Sequence, residues 1–202
     1  MNSNKALKQL NEIEKLSDKP RLAAEGWNED WKTLIAILMS ARTLDKTTIP
    51  VAQELFDKYT SLEKLSKAKL AEIGKIIFPV NFYKHKSRYI SELSKILLRD
   101  YDGNVPREFE KLIELPGVGR KTANVFLAEQ GEGRIGVDTH VNWVSKQMGW
   151  TKSDKQEQVE KDLAKIFPKK IHGKVNEILV RFGQTHRSRA KKIEMLKKIK
   201  KN

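Results

Sequence analysis

Two residues near the middle of the chain have the types and the local setting that amine chemistry requires. Lys121 closely follows the turn Pro-Gly-Val-Gly at 116–119, in the first turn of a predicted helix, and Asp138 lies in the segment Val-Asp-Thr-His at 137–140. The positive end of a helix dipole disfavours the charged form of such a lysine. A lysine that loses its proton easily can act as a nucleophile, and a carboxylate can assist it. The two residues therefore predict lysine-based covalent chemistry.

The turn at 116–119 has the properties of a binding site for a DNA phosphate. Gly117 and Gly119 permit positive φ angles and keep side chains away from an approaching phosphate. Two short helices joined by this turn form a helix–hairpin–helix, in which backbone N–H groups contact the DNA backbone without reading base sequence. An ordinary turn between helices is the alternative, and the adjoining basic residues favour the phosphate role. We predict DNA-backbone contacts from Pro116, Gly117, Val118, Gly119 and Arg120.

Lys121 and Asp138 also have interpretations that involve no catalysis. Lys121 could contact phosphate without reacting, but a purely electrostatic role does not need Asp138. Asp138 could act only as the N-cap of a helix that starts at Thr139. Capping and catalysis are compatible, because a cap fixes the position of the carboxylate.

Composition narrows the class of partner. The 202 residues contain 40 basic and 26 acidic side chains, a net charge of +14, with a pI near 9.8. Such a charge implies a polyanionic partner, nucleic acid or an acidic membrane. No apolar run approaches the ~18 residues of a membrane span, and no signal peptide is expected. Cysteine is absent, which excludes disulfides, thiolate nucleophiles and cysteine-ligated zinc or iron–sulfur sites and fits a reducing, intracellular location.

Apolar residues recur at helical spacing along most of the chain, and no segment alternates as a strand would. Pro106 is expected to open a helix that runs through Glu114. We predict an all-α protein that contains a helix–hairpin–helix.

The end of the chain is strongly basic. The segment from His186 to Asn202 holds eight Lys or Arg residues and one acid. Ile193, Leu196 and Ile199 recur at spacings of three, which predicts a helix with one docked face. A helix that contacts phosphates and a merely solvated end are equally consistent with this pattern.

Two segments, Leu-Pro-Gly-Val-Gly-Arg-Lys-Thr-Ala-Asn at 115–124 and Val-Asp-Thr-His-Val at 137–141, resemble the endonuclease III branch of the helix–hairpin–helix DNA glycosylases. The resemblance extends from about residue 29 to Gly183. It implies two helical lobes with a DNA-binding cleft between them, one lobe at 25–133 and the other combining 1–24 with 134–202, so that Asp138 faces Lys121. It implies a bifunctional DNA glycosylase and abasic-site lyase of base excision repair, which flips oxidised or reduced pyrimidines out of double-stranded DNA. It also implies that Lys121 attacks C1′ to form a Schiff base, that β-elimination cleaves 3′ of the abasic site, and that Asp138 deprotonates the lysine and stabilises charge on the sugar.

The same resemblance assigns further DNA contacts. Phe82 takes the position of an apolar wedge that fills the gap left by the flipped base, with packing in the core as the alternative. Asn81 replaces the glycine usual there. Arg42 stands where many relatives have glutamine, and it is expected to reach a base edge, such as guanine opposite the lesion, or a phosphate. Lys84 and Lys86 are expected to contact the backbone, or to form a solvated helix start.

The chain departs from the resemblance at one point. Many relatives follow the region of Gly183 with four cysteines that hold a [4Fe–4S] cluster, but Arg187 stands about where the first would fall. Without cysteine, and with four scattered histidines, no cluster or other metal is expected. The alternatives are the same fold acting on mismatched uracil or thymine or on oxidised guanine, and a non-catalytic helix–hairpin–helix DNA-binding module. We expect a monomer in the cytoplasm or nucleoid if the source is prokaryotic, with no membrane partner.

Overall fold

The computed structural model describes residues 2–186 and 188–201, so Arg187 lies outside the described residues. Within them the chain forms twelve α-helices, one short 3₁₀ helix at Lys169–Ile171 and no β-strand, which confirms the predicted all-α class. The helices are α1 (Ser3–Lys15), α2 (Asp30–Ser40), α3 (Asp45–Lys58), α4 (Leu62–Ser66), α5 (Leu70–Ile76), α6 (Tyr83–Tyr101), α7 (Phe109–Glu114), α8 (Arg120–Glu129), α9 (Thr139–Met148), α10 (Gln156–Ile166), α11 (His172–Thr185) and α12 (Arg189–Lys201).

The chain divides into two compact units. One consists of Met1–Pro20 with Leu127–Asn202, and the other of Arg21–Phe126. The division falls within α8. The lobe boundaries at residues 25 and 133, and the cleft between the lobes, stay predictions.

Helix α2 forms the centre of the unit Arg21–Phe126. Trp31 and every residue from Thr33 to Met39 are buried. A helix that is apolar on all sides belongs in the interior of a domain. Helices α3 and α6 pack against α2, and α4 and α5 pack against α6. This packing fixes the C-terminal end of α2 and the N-terminal end of α6, the two ends beside which Arg42 and Phe82 lie.

Helices α9 and α11 organise the other unit. Helix α11 packs against α1 and α9, while α12 packs against α9 and α1, and α10 packs against α9. Gly183 of α11 faces His140 of α9, and a Cβ at Gly183 would overlap the imidazole ring. Glycine therefore lets these two helices approach closely. The result is a fixed position for α9, whose N-terminus carries Asp138.

Among the described residues, no helix combines the length and the apolar character needed to cross a membrane.

Candidate functional site

The turn between α7 and α8 requires glycine at one position for two independent reasons. Gly117 has a φ of 75°, in the left-handed region. A Cβ there would lie 2.7 Å from Cδ2 of Tyr89 and 2.9 Å from Cδ1 of Leu38. The N–H of Val118 donates to the carbonyl of Leu115 at 3.0 Å, and the Val118 side chain is buried. The turn is thus held tightly on α2 and α6, and the N–H of Val118 is used within the turn itself; a phosphate contact from Val118 stays a prediction.

The other hairpin glycine faces open space. No atom lies within 4 Å of the position that a Cβ would take at Gly119. The carbonyl of Gly119 accepts from the N–H of Ala123 at 3.0 Å, so α8 begins here. The first N–H groups of a helix have no acceptor within the helix, and together with the dipole they suit an anion. Pro116 is partly exposed. The guanidinium of Arg120 lies 4.9 Å from the ring centroid of Phe109, and this contact holds the start of α8 against α7.

Lys121 and Asp138 occupy the first turns of two different helices. Lys121 is the second residue of α8, in the unit Arg21–Phe126, and its side chain is partly exposed. Asp138 belongs to the other unit and is the N-cap of α9, where Oδ1 accepts from the N–H of Val141 at 2.8 Å. Its Oδ2 accepts no hydrogen bond from a described residue. The cap thus holds the carboxylate in place and leaves one oxygen for chemistry; that Asp138 faces Lys121 stays a prediction.

Arg42 and Phe82 are presented together by two linked loops. Their φ angles are 57° and 61°, which is strained for residues other than glycine. Nδ2 of Asn81 donates to the carbonyl of Arg42 at 2.5 Å, and its N–H donates to Oγ1 of Thr43 at 3.2 Å. The Arg42 guanidinium lies 5.3 Å from the ring centroid of Phe82. Phe82 is 55 % exposed, so the core-packing alternative for this residue is wrong.

Lys86 lies inside the protein, unlike the other basic residues of this region. Its Nζ donates to the carbonyls of Met39 and Ala41, each at 2.7 Å, and lies 3.4 Å from Oγ1 of Thr43. Burial lowers its pKa from 10.5 to about 8. The ammonium stabilises the C-terminal end of α2, where a cation is favourable. The prediction that Lys86 contacts the DNA backbone is therefore wrong, because its donors are used within the protein; Lys84 is exposed and keeps that prediction.

One surface depression brings the hairpin and the Phe82 loop together within a single unit. It has a volume of about 390 Å³. Gly117 borders it on the hairpin side and Phe82 on the loop side, with Tyr89 of α6 between them along the chain. The remaining residues that line it are Leu38, Ala41, His85 and Lys86.

The sequence matches one protein family over more than half of its length. Residues 35–169 match the HhH-GPD superfamily base excision DNA repair protein family. The chain belongs to the HhH-GPD superfamily of base excision DNA repair proteins. The match contains the hairpin, Lys121 and Asp138, but neither α1 nor α12.

Curated relatives and solved structures define the branch of the HhH-GPD superfamily. The chain is 37% identical over 157 residues to endonuclease III of Thermotoga maritima, over 77% of this chain and 74% of that protein. It is 37% identical over 158 residues to endonuclease III of Bacillus subtilis, over 77% and 72% respectively. A non-covalent endonuclease III–DNA complex matches with a TM-score of 0.85 at 33% identity, covering 94% of this chain and 89% of the other. A trapped endonuclease III–DNA covalent intermediate matches with a TM-score of 0.84 at 33% identity, covering 93% and 89%.

These matches confirm the predicted endonuclease III-like branch and, with it, the predicted class: a DNA glycosylase and abasic-site lyase of base excision repair.

The residues of this HhH-GPD protein do not fit a [4Fe–4S] cluster. Such a cluster is held by four cysteine thiolates, and the sequence has no cysteine. Among the described residues there is also no group of three or more histidine, aspartate and glutamate side chains placed to hold a metal ion.

Sequence reasoning missed the part that Asn81 plays in the site. The sequence shows Asn81 only as a replacement for glycine, but in the structure the positive φ falls on Phe82, and the Asn81 amide donates to the carbonyl of Arg42. Asparagine forms such backbone hydrogen bonds in turns more readily than most residues. The sequence feature that could have indicated this role is the position of Asn81 directly before Phe82 in a predicted loop.

Proposed function

We propose that this endonuclease III-like protein removes oxidised or reduced pyrimidines from double-stranded DNA and cleaves the strand 3′ of the resulting abasic site. One observation carries the proposal: the turn that suits a phosphate leads directly into the helical turn that carries Lys121. Binding of the backbone at the hairpin would therefore also position the reacting amine. We place the activity in the intracellular compartment that contains the DNA, the nucleoid in a prokaryote.

Lys121 is the proposed nucleophile. Its neutral amine attacks C1′ of the flipped nucleotide, the bond from C1′ to the base breaks, and the base leaves with the bonding electrons and takes up a proton. The attacking nitrogen loses one proton, and its lone pair then breaks the bond from C1′ to O4′, so that the sugar ring opens to a protonated Schiff base and O4′ takes up a proton. Loss of a proton from C2′ expels the 3′ phosphate by β-elimination, and water releases the lysine.

Asp138 is the proposed partner of the amine. Oδ2 would accept the proton that Lys121 loses and would stabilise positive charge on the sugar. The hydrogen bond from Val141 to Oδ1 supports this role, because it holds the carboxylate while Oδ2 remains available.

The loops that carry Arg42 and Phe82 are the proposed lesion-sensing surface. An exposed phenyl ring can fill the gap in the duplex after the base has left the stack. Arg42 would contact the opposite strand, and exposed Lys84 a phosphate. Backbone strain at both Arg42 and Phe82, maintained by Asn81 and Lys86, supports a functional constraint on these positions.

Borohydride trapping on abasic duplex DNA tests the mechanism. The wild type is expected to form a covalent adduct, and Lys121→Gln to form none while it still binds the duplex. Lys111→Gln is the matched control, because Lys111 is an exposed lysine of the same hairpin that pairs with Glu108. A folded wild type that forms no adduct would overturn the mechanism and leave a DNA-binding module.

A second candidate substrate is favoured by Arg42. Arginine pairs best with the O6 and N7 atoms of guanine, so an exposed Arg42 beside the wedge suits lesions opposite guanine, including mismatched uracil or thymine. A panel of duplexes with thymine glycol, uracil, thymine or 8-oxoguanine against each opposite base separates the two candidates. Excision of thymine glycol above all others supports the first, and excision of uracil or thymine only opposite guanine supports the second.

A further inference from the structure

A large share of the protein's charge lies outside the family-matched residues. Helix α12 starts twenty residues beyond the end of the match at residue 169. Its thirteen residues include seven Lys or Arg and one Glu, a net charge of +6 out of +14 for the whole chain. The chemistry at Lys121 gives no reason for this concentration of charge.

One face of α12 is docked on the protein. Leu196 and Ile199 are 2% and 7% exposed, and α12 packs against α9 and α1. Nζ of Lys192 lies 5.0 Å from the ring centroid of Trp143, and burial lowers the pKa of Lys192. Nζ of Lys200 donates to the carbonyl of Gln147 at 3.1 Å, near the C-terminus of α9. The apolar side chains and these two lysines therefore fix which face of α12 points outward.

The outward face of α12 is almost purely cationic. Lys198 pairs with Glu194, the single acid of the helix, at 2.8 Å. Lys191, Lys197 and Lys201 are exposed, and none lies within ion-pair distance of a described acid, although the charge of Lys191 also helps to lower the pKa of Glu194. Like charges crowded on one surface repel each other, and a polyanion that neutralises them and releases their counterions binds favourably.

The neighbouring helix α1 extends the same surface. Lys5 and Lys8 are exposed, and neither forms an ion pair with a described residue. Both line a groove of about 750 Å³ that Ile199 of α12 also borders. The one acid in its lining, Glu12, already pairs with Lys15 at 2.7 Å.

We propose that Lys191, Lys197 and Lys201 of α12, together with Lys5 and Lys8 of α1, form a second binding surface for the phosphate backbone of duplex DNA. Lysine ammonium groups on such a surface bind phosphates without reading bases. An anionic membrane is a poorer partner, because a helix that lies in a lipid interface needs a free apolar face and that of α12 is buried in the protein. This surface is assigned to DNA, and not to another polyanion, because the proposed function acts on DNA; in that respect it rests on the proposed function.

The salt dependence of binding to an undamaged duplex tests the proposal. The variant Lys191→Gln/Lys197→Gln/Lys201→Gln is expected to bind more weakly at low salt. The slope of log K against log of the salt concentration is expected to become shallower by about 0.9 for each phosphate that the variant no longer neutralises, roughly 2 to 3 in total. The matched control is Lys64→Gln/Lys67→Gln/Lys69→Gln, which removes three exposed lysines from the other unit with the same change in net charge.

The outcomes separate this surface from the general charge and from the catalytic site. A shallower slope in the α12 variant alone supports the proposal, whereas equal changes in both variants overturn it, because net charge then explains the effect. Wild-type binding to phosphatidylserine vesicles as tight as binding to DNA, lost in the α12 variant, also overturns it. At saturating enzyme, the yield of the borohydride-trapped adduct is expected to be the same for the α12 variant and the wild type. A failure of the Lys121 mechanism would instead remove the adduct from both proteins, so the two failures are distinguishable.

Discussion

Asp138 combines a structural and a chemical role that two substitutions separate. Asparagine also caps helices well, so Asp138→Asn is expected to keep the free energy of unfolding within about 0.5 kcal/mol of the wild type. It cannot accept the lysine proton, so base removal is expected to slow by about 10²-fold or more. Asp138→Ala loses the bond to Val141 as well and is expected to be less stable by about 1 kcal/mol. Urea denaturation and single-turnover excision measure the two effects.

Full excision activity in Asp138→Asn would contradict the catalytic role and leave Asp138 as a cap alone. A matched control is Ser61→Ala, which removes the N-cap bond of α4 to Lys64 and is expected to affect stability but not excision.

The residues of the site were predictable from the sequence where the signal is local. Gly117, Lys121 and the cap at Asp138 each follow from neighbours within a few positions, and the structure places each on the expected turn or helix start. Lys86 was assigned wrongly because its acceptors are Met39 and Ala41, more than forty residues away. A lysine at a helix start has the same sequence pattern whether it meets phosphate or caps a distant helix.

In the hairpin, substitution of Gly117 and substitution of Gly119 are expected to have different effects on stability and on DNA binding. Gly117→Ala places a Cβ against Tyr89 and Leu38 in a left-handed conformation, so the protein is expected to lose about 1–3 kcal/mol of stability. Gly119→Ala meets open space within the protein and is expected to leave stability nearly unchanged. In the proposed DNA complex its methyl group would stand where a phosphate approaches, so affinity for abasic duplex is expected to fall. Thermal unfolding and fluorescence anisotropy measure these quantities.

Each glycine serves as the control for the other. Wild-type DNA affinity in Gly119→Ala, with the fold intact, would show that the phosphate does not approach this part of the hairpin.

Helix type was easier to predict than helix limits. The periodic apolar residues of α12 predicted a helix with one docked face, and Leu196 and Ile199 are buried as expected. In contrast, Pro106 does not open α7, which starts at Phe109 with Glu108 as its N-cap. Proline fixes its own φ at a value that both helical and extended residues share, so it permits a helix start without requiring one.

At the scale of the whole molecule, composition predicted the polyanionic partner and periodicity predicted the helical class. The division into units was not visible in the same way. One of its two boundaries follows Pro20, but the other falls after Phe126 inside α8, where the sequence shows no proline, no glycine and no turn signal. Such a division depends on which helices pack together, and that information is absent from any local pattern.

The pH dependence of global stability is expected to report the burial of Lys86. At neutral pH, Lys86→Met is expected to be less stable by about 1–3 kcal/mol, because the carbonyls of Met39 and Ala41 lose their donor. Burial lowers the pKa of Lys86 from 10.5 to about 8 in the folded chain. Between these two values the unfolded chain binds more protons than the folded chain, so the stability of the wild type relative to Lys86→Met is expected to rise with pH in this window and to be constant below it.

Urea denaturation across this pH window measures the effect. The control is Lys84→Met, because Lys84 is an exposed lysine of the same helix; its stability is expected to run parallel to that of the wild type. Parallel curves for the wild type and Lys86→Met would show that the ammonium is not desolvated, and the burial of Lys86 against the end of α2 would then have to be abandoned.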